Sequence, residues 1–194
     1  NFDFFDPEVM PLLEMHSCNR NHEHVAQDAL RRGLRVGFIG GSDDHRGAPG
    51  DSRPAARDRF FSTGSGLVAV YAEELTREAL WEAFFARRTY ATNGARMVVD
   101  FRVNDVLMGG ELSVPAGEPL RFRIWTRLDG LLDSMDLVRS DGTSEHFICP
   151  ENQVPEAEFT HEEPAPSEPT AYYLRVRQAD GGTAWTSPVW VTPE

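Results

Sequence analysis

Short apolar runs and segments of helical spacing alternate along the first half of the chain. Residues 11–17 predict a strand, and residues 22–34 predict a helix because their apolar side chains recur three and four positions apart. Residues 35–41 form a nearly continuous apolar run, which is typical of a parallel strand covered on both faces. A second unit follows, with a strand at residues 67–72 and a helix that Thr76 can cap. This order of elements indicates a parallel α/β layer.

The pattern changes after residue 95. Polar and apolar residues alternate at residues 120–125 and 172–177, which is the period of half-buried antiparallel strands. Gly142 and Gly181 lie where tight hairpin turns between such strands would fall. These signals predict a β-sandwich of the immunoglobulin-like kind at residues 96–194.

Two polar segments interrupt these elements. Residues 43–59 are rich in Asp, Arg, Gly and Pro and are expected to form a long loop, a kind of segment that often carries function. Residues 150–169 are crowded with Pro and Glu and are expected to form a surface loop without chemistry of its own.

Charge and composition exclude some classes of partner. The 194 residues carry a formal net charge of -12, which argues against nucleic acid as a partner because phosphate binding relies on clustered Lys and Arg. The apolar runs are too short to span a membrane, so a membrane partner is not expected. Cys18 and Cys149 fall in different predicted units, and a disulfide is not expected between them. The chain starts at Asn1 without a Met, so further residues are expected before it, and the localisation stays open.

The sharpest chemical signal is the Gly-Ser-Asp-Asp-His run that contains Asp43 and His45. Residues two apart at the end of a strand point to the same side, so both side chains can reach one ion. A carboxylate with an imidazole suits Zn, Mn or Fe better than Ca or Mg. Ligands in α/β folds also lie at the carboxyl ends of parallel strands. By spacing alone, however, the run also fits a turn that Asp43 caps, with His45 solvated.

Several motifs resemble one known family. Residues 35–47, read as RVGFIGGSDDHRG, resemble the last metal-binding motif of the polymerase and histidinol phosphatase (PHP) superfamily. Residues 66–74 and 88–94 are similar, in the same order, to segments of PHP-like metallohydrolases that include carbaryl-hydrolase-type enzymes, and residues 13–17 resemble the strand before them. The resemblance implies an α+β protein in which residues 1–95 are the C-terminal portion of a PHP-type α/β barrel, followed by the β-sandwich.

The resemblance also implies a function and a set of site residues. Asp43 and His45 would bind metal in a cluster of two or three divalent ions, which activates a water for attack on a phosphoester or related bond of a small molecule. Glu14, Ser17 and Glu23 would line the pocket as catalytic residues. The resemblance thus implies a metal-dependent hydrolase, and the sequence does not predict an oligomeric state.

The chain departs from the family pattern in two respects. The family's opening His-x-His motif and its other ligands would lie before residue 1 and are absent, so this chain is expected to carry only part of the metal site. Relatives often have His in the loop after Ser17, where this chain has Asn19. His22 and His24 form a His-x-His pair on the predicted helix, where residues two apart diverge by about 200°. This predicts a solvated surface position, and metal binding by the pair is kept as the alternative.

A second hypothesis treats the chain as a non-catalytic binding or accessory module. Trp125, Trp185 and Trp190 motivate it, because flat aromatic faces suit sugar stacking and a β-sandwich can recognise a carbohydrate or a protein. Tryptophans in such strands are more often part of the core. Their solvent exposure discriminates between the two interpretations.

Overall fold

Strands dominate the computed structural model of the chain. It describes residues 2–17, 20–43, 66–115, 117–148 and 154–194. After a short 3-10 helix at Phe2–Phe4, the elements in chain order are β1 (Leu12–His16), α1 (Glu23–Arg31), β2 (Gly37–Gly40), β3 (Leu67–Val70), α2 (Arg77–Phe85), β4 (Thr89–Thr92), β5 (Val98–Val103), β6 (Val106–Leu107), β7 (Glu111–Val114), β8 (Pro119–Arg127), β9 (Leu132–Arg139), β10 (Ser144–Ile148), β11 (Glu156–Pro164), β12 (Thr170–Gln178), β13 (Thr183–Thr186) and β14 (Val189–Pro193). Among these residues, no helix has the length and apolar character needed to cross a membrane.

The strands in the described part of the chain form three sheets. Strands β1 and β2 pair in parallel as a two-stranded sheet. An eight-stranded sheet has the order β10-β9-β12-β13-β4-β3, with β14 also paired to β12 and β7 paired to β14. A four-stranded sheet has the order β11-β8-β5-β6. Apart from β1 with β2 and β14 with β7, the pairs are antiparallel.

The expected fold class, α+β with part of a PHP-type α/β barrel, is wrong. The protein is mostly β, and the sheets of its described residues do not close into a barrel. The sequence predicted β3 and α2 but no strand after α2, and β4 pairs with β3 antiparallel rather than extending a parallel layer. Arg87 has a left-handed backbone (φ 57°) that turns the chain after α2, and the amide of Tyr71 then bonds the carbonyl of Arg88. β4 therefore starts at the end where β3 stops. The β-sandwich part of the expectation is better founded, because sandwich-like sheets are present.

One sheet contains strands from both predicted domains. β4 precedes residue 95, and it pairs with β13 from Ala184 opposite Thr92 to Thr186 opposite Tyr90. The division into residues 1–95 and 96–194 stays a prediction of the sequence.

The main core lies between the eight-stranded and four-stranded sheets. In β8 the side chains of Leu120, Phe122 and Ile124 are buried, whereas Arg121 and Arg123 are exposed. The alternation predicted for this strand is thus confirmed. A fully buried side chain of this size contributes about 1.5–3 kcal/mol of transfer free energy, so the inner faces of the two sheets supply most of the hydrophobic stabilisation.

A second core holds α1 against the sheets. Ala26, Ala29 and Leu30 are buried, which confirms the predicted helix and its apolar face. They belong to a cluster with Phe38 of β2 and Tyr173 of β12, whose rings meet edge to face at 5.3 Å. α1 and the parallel pair therefore pack on the eight-stranded sheet.

Some local expectations hold and others fail. The hairpin turns at Gly142 and Gly181 are confirmed, each with φ 92°. The loop expected at residues 150–169 is wrong over Glu156–Pro164, which forms β11 and pairs with β8 along its whole length. The spacing of Trp81 and Phe85 in the second predicted helix places them on one face, which is expected to pack on a sheet, yet Trp81 is 63% exposed.

Several sequence-based predictions lie outside the described residues. They concern residues 44–59 of the expected loop, His45, Asn19, and the two cysteines, Cys18 and Cys149.

Candidate functional site

The parallel strands β1 and β2 end beside the start of β3. Glu14 lies opposite Ile39 in the register of the parallel pair. The amide of Gly41 donates to the carbonyl of His16, and the amide of Gly66 donates to the carbonyl of Gly41, both at 2.9 Å. A Cβ on Gly66 would collide with the His16 carbonyl oxygen, so glycine is required for this close approach. Three chain segments therefore meet at one edge.

Two acidic side chains and a histidine gather at that edge. The Oε2 atom of Glu14 lies 3.7 Å from Nδ1 of His22. The Glu14 carboxylate also lies over Gly41, where an added Cβ would strike its Oε1 atom. Asp43 follows β2 with a left-handed backbone (φ 45°). Burial raises the pKa of Glu14 above its ordinary value, His22 opposes this shift, and the negative charge of Asp43 adds to it. Burial and the charge of Asp43 therefore both disfavour the ionised form of Glu14.

Ser17 also lies at the carboxyl end of β1, as the sequence predicts. Its side chain is buried, with 1% of the residue exposed, and its amide donates to the carbonyl of Arg20 at 3.1 Å. This bond folds the chain back towards α1 just after β1.

Glu23 occupies a different environment from Glu14. Its Oε1 atom accepts hydrogen bonds from the Tyr173 hydroxyl at 2.6 Å and from the Arg175 guanidinium at 2.8 Å. Its Oε2 atom accepts from Nε1 of Trp185 at 3.2 Å. Three donors thus occupy both oxygens of a side chain that is only 14% exposed. This arrangement anchors the start of α1 to β12 and β13.

Arg175, which binds Glu23, also belongs to a partly buried ion-pair network around Asp136. Arg175 also donates to Asp136 at 3.0 Å, and Asp136 accepts from Arg177 at 2.5 Å and contacts Nδ1 of His146 at 2.7 Å. Burial alone would raise the pKa of Asp136, but the hydrogen bonds from His146 and Arg175 and the two arginine charges outweigh it. The pKa of Asp136 therefore lies below its ordinary value.

Trp185 connects this network to the edge where the acids gather. Its ring stacks on His16 at 5.9 Å between centroids and 15° between planes, while its Nε1 atom binds Glu23. One side chain of β13 therefore contacts both the end of β1 and the start of α1.

Relatives of this chain are known in chlamydiae. Residues 52–111 match a family described as "Protein of unknown function (DUF3604)". An uncharacterised protein of Chlamydia pneumoniae is 34% identical over an alignment of 177 positions, which covers 84% of this chain and 28% of that protein. An uncharacterised protein of Chlamydia trachomatis serovar D is 28% identical, over 98% of this chain and 36% of its own length. An uncharacterised protein of Chlamydia muridarum is 31% identical, over 89% of this chain and 30% of its own length. This chain thus spans about a third of the length of these relatives.

A likeness to a solved structure is slight. A Niemann-Pick type C2 protein from Japanese carpenter ant aligns with 41% of this chain and 79% of its own, at 10% identity and a TM-score of 0.28.

The family match and the candidate site fall on different parts of the chain. The matched residues 52–111 contain α2, β4 and β5, whereas Glu14 and Asp43 precede them. The three chlamydial proteins align with 84% or more of the chain.

Sequence reasoning favoured a solvated surface position for His22 and kept metal binding there only as the alternative. The prediction placed it inside a helix, but α1 starts at Glu23, and His22 is held outside the helix because its amide donates to the carbonyl of Met15 at 2.8 Å. The available signal was Asn21, a residue type typical of helix starts, whose side chain accepts from the Glu23 amide at 2.7 Å.

Proposed function

We propose that this chain contributes part of the active site of a metal-dependent hydrolase. Glu14 and Asp43 would bind a divalent Zn, Mn or Fe ion, and His22, whose Nδ1 atom lies 3.7 Å from the Glu14 carboxylate, would help to position that carboxylate. The observation that carries the proposal is the Glu14 carboxylate of β1, which lies over Gly41 just past the carboxyl end of the parallel strand β2, on the segment that leads to Asp43. Ligands favour this position beside parallel strands. The motif that resembles the PHP superfamily assigns His45 to the same ion.

The electrostatics of the edge support a cation. A carboxyl group that is partly buried beside a second carboxylate is harder to ionise, which is why the pKa of Glu14 is raised. A divalent ion between Glu14 and Asp43 would remove that repulsion and lower the pKa again. Metal binding is therefore expected to release protons and to weaken in acid, as protons compete for Glu14.

The chemistry of such an ion suits hydrolysis. A bound metal supplies a water activated for attack at neutral pH and polarises the bond to be cleaved. Within the described residues, no group of three or more His, Cys, Asp or Glu side chains is arranged to hold a metal. We infer that further ligands come from outside these residues, and that the substrate is a small molecule of the phosphoester class.

Titration of the chain with Mn²⁺ or Zn²⁺ tests the ligand assignment. E14Q with D43N should weaken binding by at least about tenfold, because both anionic ligands are lost. D28N is the matched control, since Asp28 lies on the exposed part of α1 in a surface pair with Arg32. Unchanged binding in the double variant, or no divalent metal bound by the wild type, would contradict the proposal.

Gly41→Ala offers a test that alters no charge. The added methyl group would push the Glu14 carboxylate aside, and because that carboxylate ends a flexible side chain, the backbone should survive. We expect G41A to keep its thermal stability within a few degrees and to bind metal more weakly. If G41A bound metal with the affinity of the wild type, Glu14 would not be a metal ligand.

A further inference from the structure

The outer face of the four-stranded sheet carries polar and aromatic side chains in rows across its strands. In one row, Trp125 of β8 lies between Asp100 of β5 and Glu158 of β11. In the next row, Arg123 lies opposite Arg102 of β5. Residues two apart on a strand share a face, so these five side chains stand on the same side of the sheet.

These side chains line a cavity. It has a volume of about 300 Å³, and its walls are Asp100, Arg102, Arg123, Trp125 and Glu158. A second cavity, of about 470 Å³, lies further along β8 and shares Arg123 with the first. Together they form a trough along the central strand.

The walls of the trough are held in place before any ligand arrives. Nε1 of Trp125 donates to Glu156 at 3.2 Å, which fixes the plane of the indole. Arg102 donates twice to Asp100, at 2.8 and 3.1 Å. Rigid aromatic and bidentate groups lose little entropy on binding, so such a surface favours a ligand that needs defined positions.

The charge of the lining indicates what kind of ligand fits. Asp100 and Glu158 balance Arg102 and Arg123, so the first cavity has no formal net charge although the chain carries -12. A balanced lining favours neither an anion nor a cation. It offers both acceptors and donors beside a flat apolar ring, which matches a sugar with its hydroxyl edge and apolar face.

We propose that this trough binds a neutral oligosaccharide, with Trp125 as the stacking platform. The other candidate platforms are removed by burial, because Trp185 and Trp190 are each 3% exposed. Trp125 is half-buried and open to the cavity. The carboxylates and guanidinium groups around it would bind the hydroxyls of successive sugar rings along β8.

Affinity electrophoresis through soluble neutral polysaccharides (a β-1,3-glucan, a β-1,4-glucan, a xylan and a mannan) tests the proposal. At least one should retard the wild-type chain, and W125A should weaken retardation by about tenfold. W81A is the matched control, because Trp81 is a more exposed tryptophan on α2, and it should behave as the wild type.

Two further variants keep the test decisive. W125F retains a smaller ring and should keep part of the retardation, and R123A removes a wall residue whose side chain is 48% exposed, so it should bind weakly while staying folded. The proposal is overturned if no neutral polysaccharide retards the wild type, if W125A or R123A is retarded as the wild type, or if only an acidic polysaccharide such as polygalacturonate binds.

Discussion

Replacing Glu23 with Ala should destabilise the fold strongly, because its carboxylate accepts hydrogen bonds from three side chains on the eight-stranded sheet. Without it, the Tyr173 hydroxyl loses its acceptor and the indole nitrogen of Trp185 loses its partner. Arg175 keeps its hydrogen bond to Asp136. The substitution therefore leaves polar groups without their hydrogen-bond acceptor in a partly buried region.

The size of the effect follows from these contacts. The bond between Glu23 and Arg175 joins two charged groups and contributes about 1.5–3 kcal/mol, and each bond from Tyr173 and Trp185 contributes about 1 kcal/mol. Breaking a buried ion pair by removing one partner costs about 3–5 kcal/mol. Because Arg175 keeps its ion pair with Asp136, we expect E23A to lower the free energy of unfolding by about 3–4 kcal/mol.

Urea unfolding followed by circular dichroism measures this loss, with D28A as the control on the same helix. Asp28 pairs with Arg32 at 3.0 Å, but the two side chains are 43% and 53% exposed, so D28A should cost no more than about 0.5 kcal/mol. If E23A were no less stable than D28A, the anchoring role of Glu23 would be refuted. A catalytic role would instead leave stability near that of the wild type and lower activity.

Three further predictions concern stability. Thr76→Ala should cost about 1 kcal/mol in urea unfolding, because the Thr76 hydroxyl caps α2 by accepting from the amide of Ala79 at 3.3 Å. The pKa of Asp136 is lowered in the folded state, so the stabilisation from its ionised form is fully present above its ordinary pKa and is lost as the pH falls below about 4. Between pH 7 and pH 3 the free energy of unfolding should therefore decrease less in D136N than in the wild type. An equal decrease in both proteins would contradict this. Gly66→Ala should lower the free energy of unfolding by at least about 3 kcal/mol, or prevent folding, because the added methyl group meets backbone atoms rather than a movable side chain. A soluble variant with the thermal stability of the wild type would disprove the close approach of Gly66 to His16.

Local periodicity predicted the elements whose pattern is carried by neighbouring residues. α1 and β8 follow directly from apolar spacings of three to four and of two. β11 has the same signal, since Ala157, Phe159 and His161 alternate with exposed residues. Its Pro- and Glu-rich composition hid that signal, because composition favours a loop while the period of two favours a strand.

The direction of strand pairing could not be predicted in the same way. A strand, a helix and a strand in sequence are typical of a parallel crossover, yet β3 and β4 are antiparallel. The chain reverses through the left-handed backbone of Arg87, and arginine is not a residue type that signals positive φ. That geometry is set by tertiary packing rather than by the local sequence.

In the candidate site too, features carried by local sequence could be predicted and contacts between distant segments could not. Glu14 and Asp43 were proposed as site residues because the motifs that contain them are local. Glu14 lies within β1 and Asp43 follows β2, and their roles stay predictions. The environment of Glu23 was not predictable, because its three partners lie 150 to 162 residues further along the chain. A spacing rule contains no information about contacts of that kind.

These long-range contacts make the edge of the parallel pair dependent on the rest of the protein. Trp185 belongs to β13, which pairs with β4 on one side and β12 on the other, and it contacts both His16 and Glu23. The edge that holds Glu14 is thus supported by the same sheet that forms one half of the sandwich. A substitution that loosens β13 should therefore disturb α1 and β1 together, because Glu23 and His16 share one tryptophan.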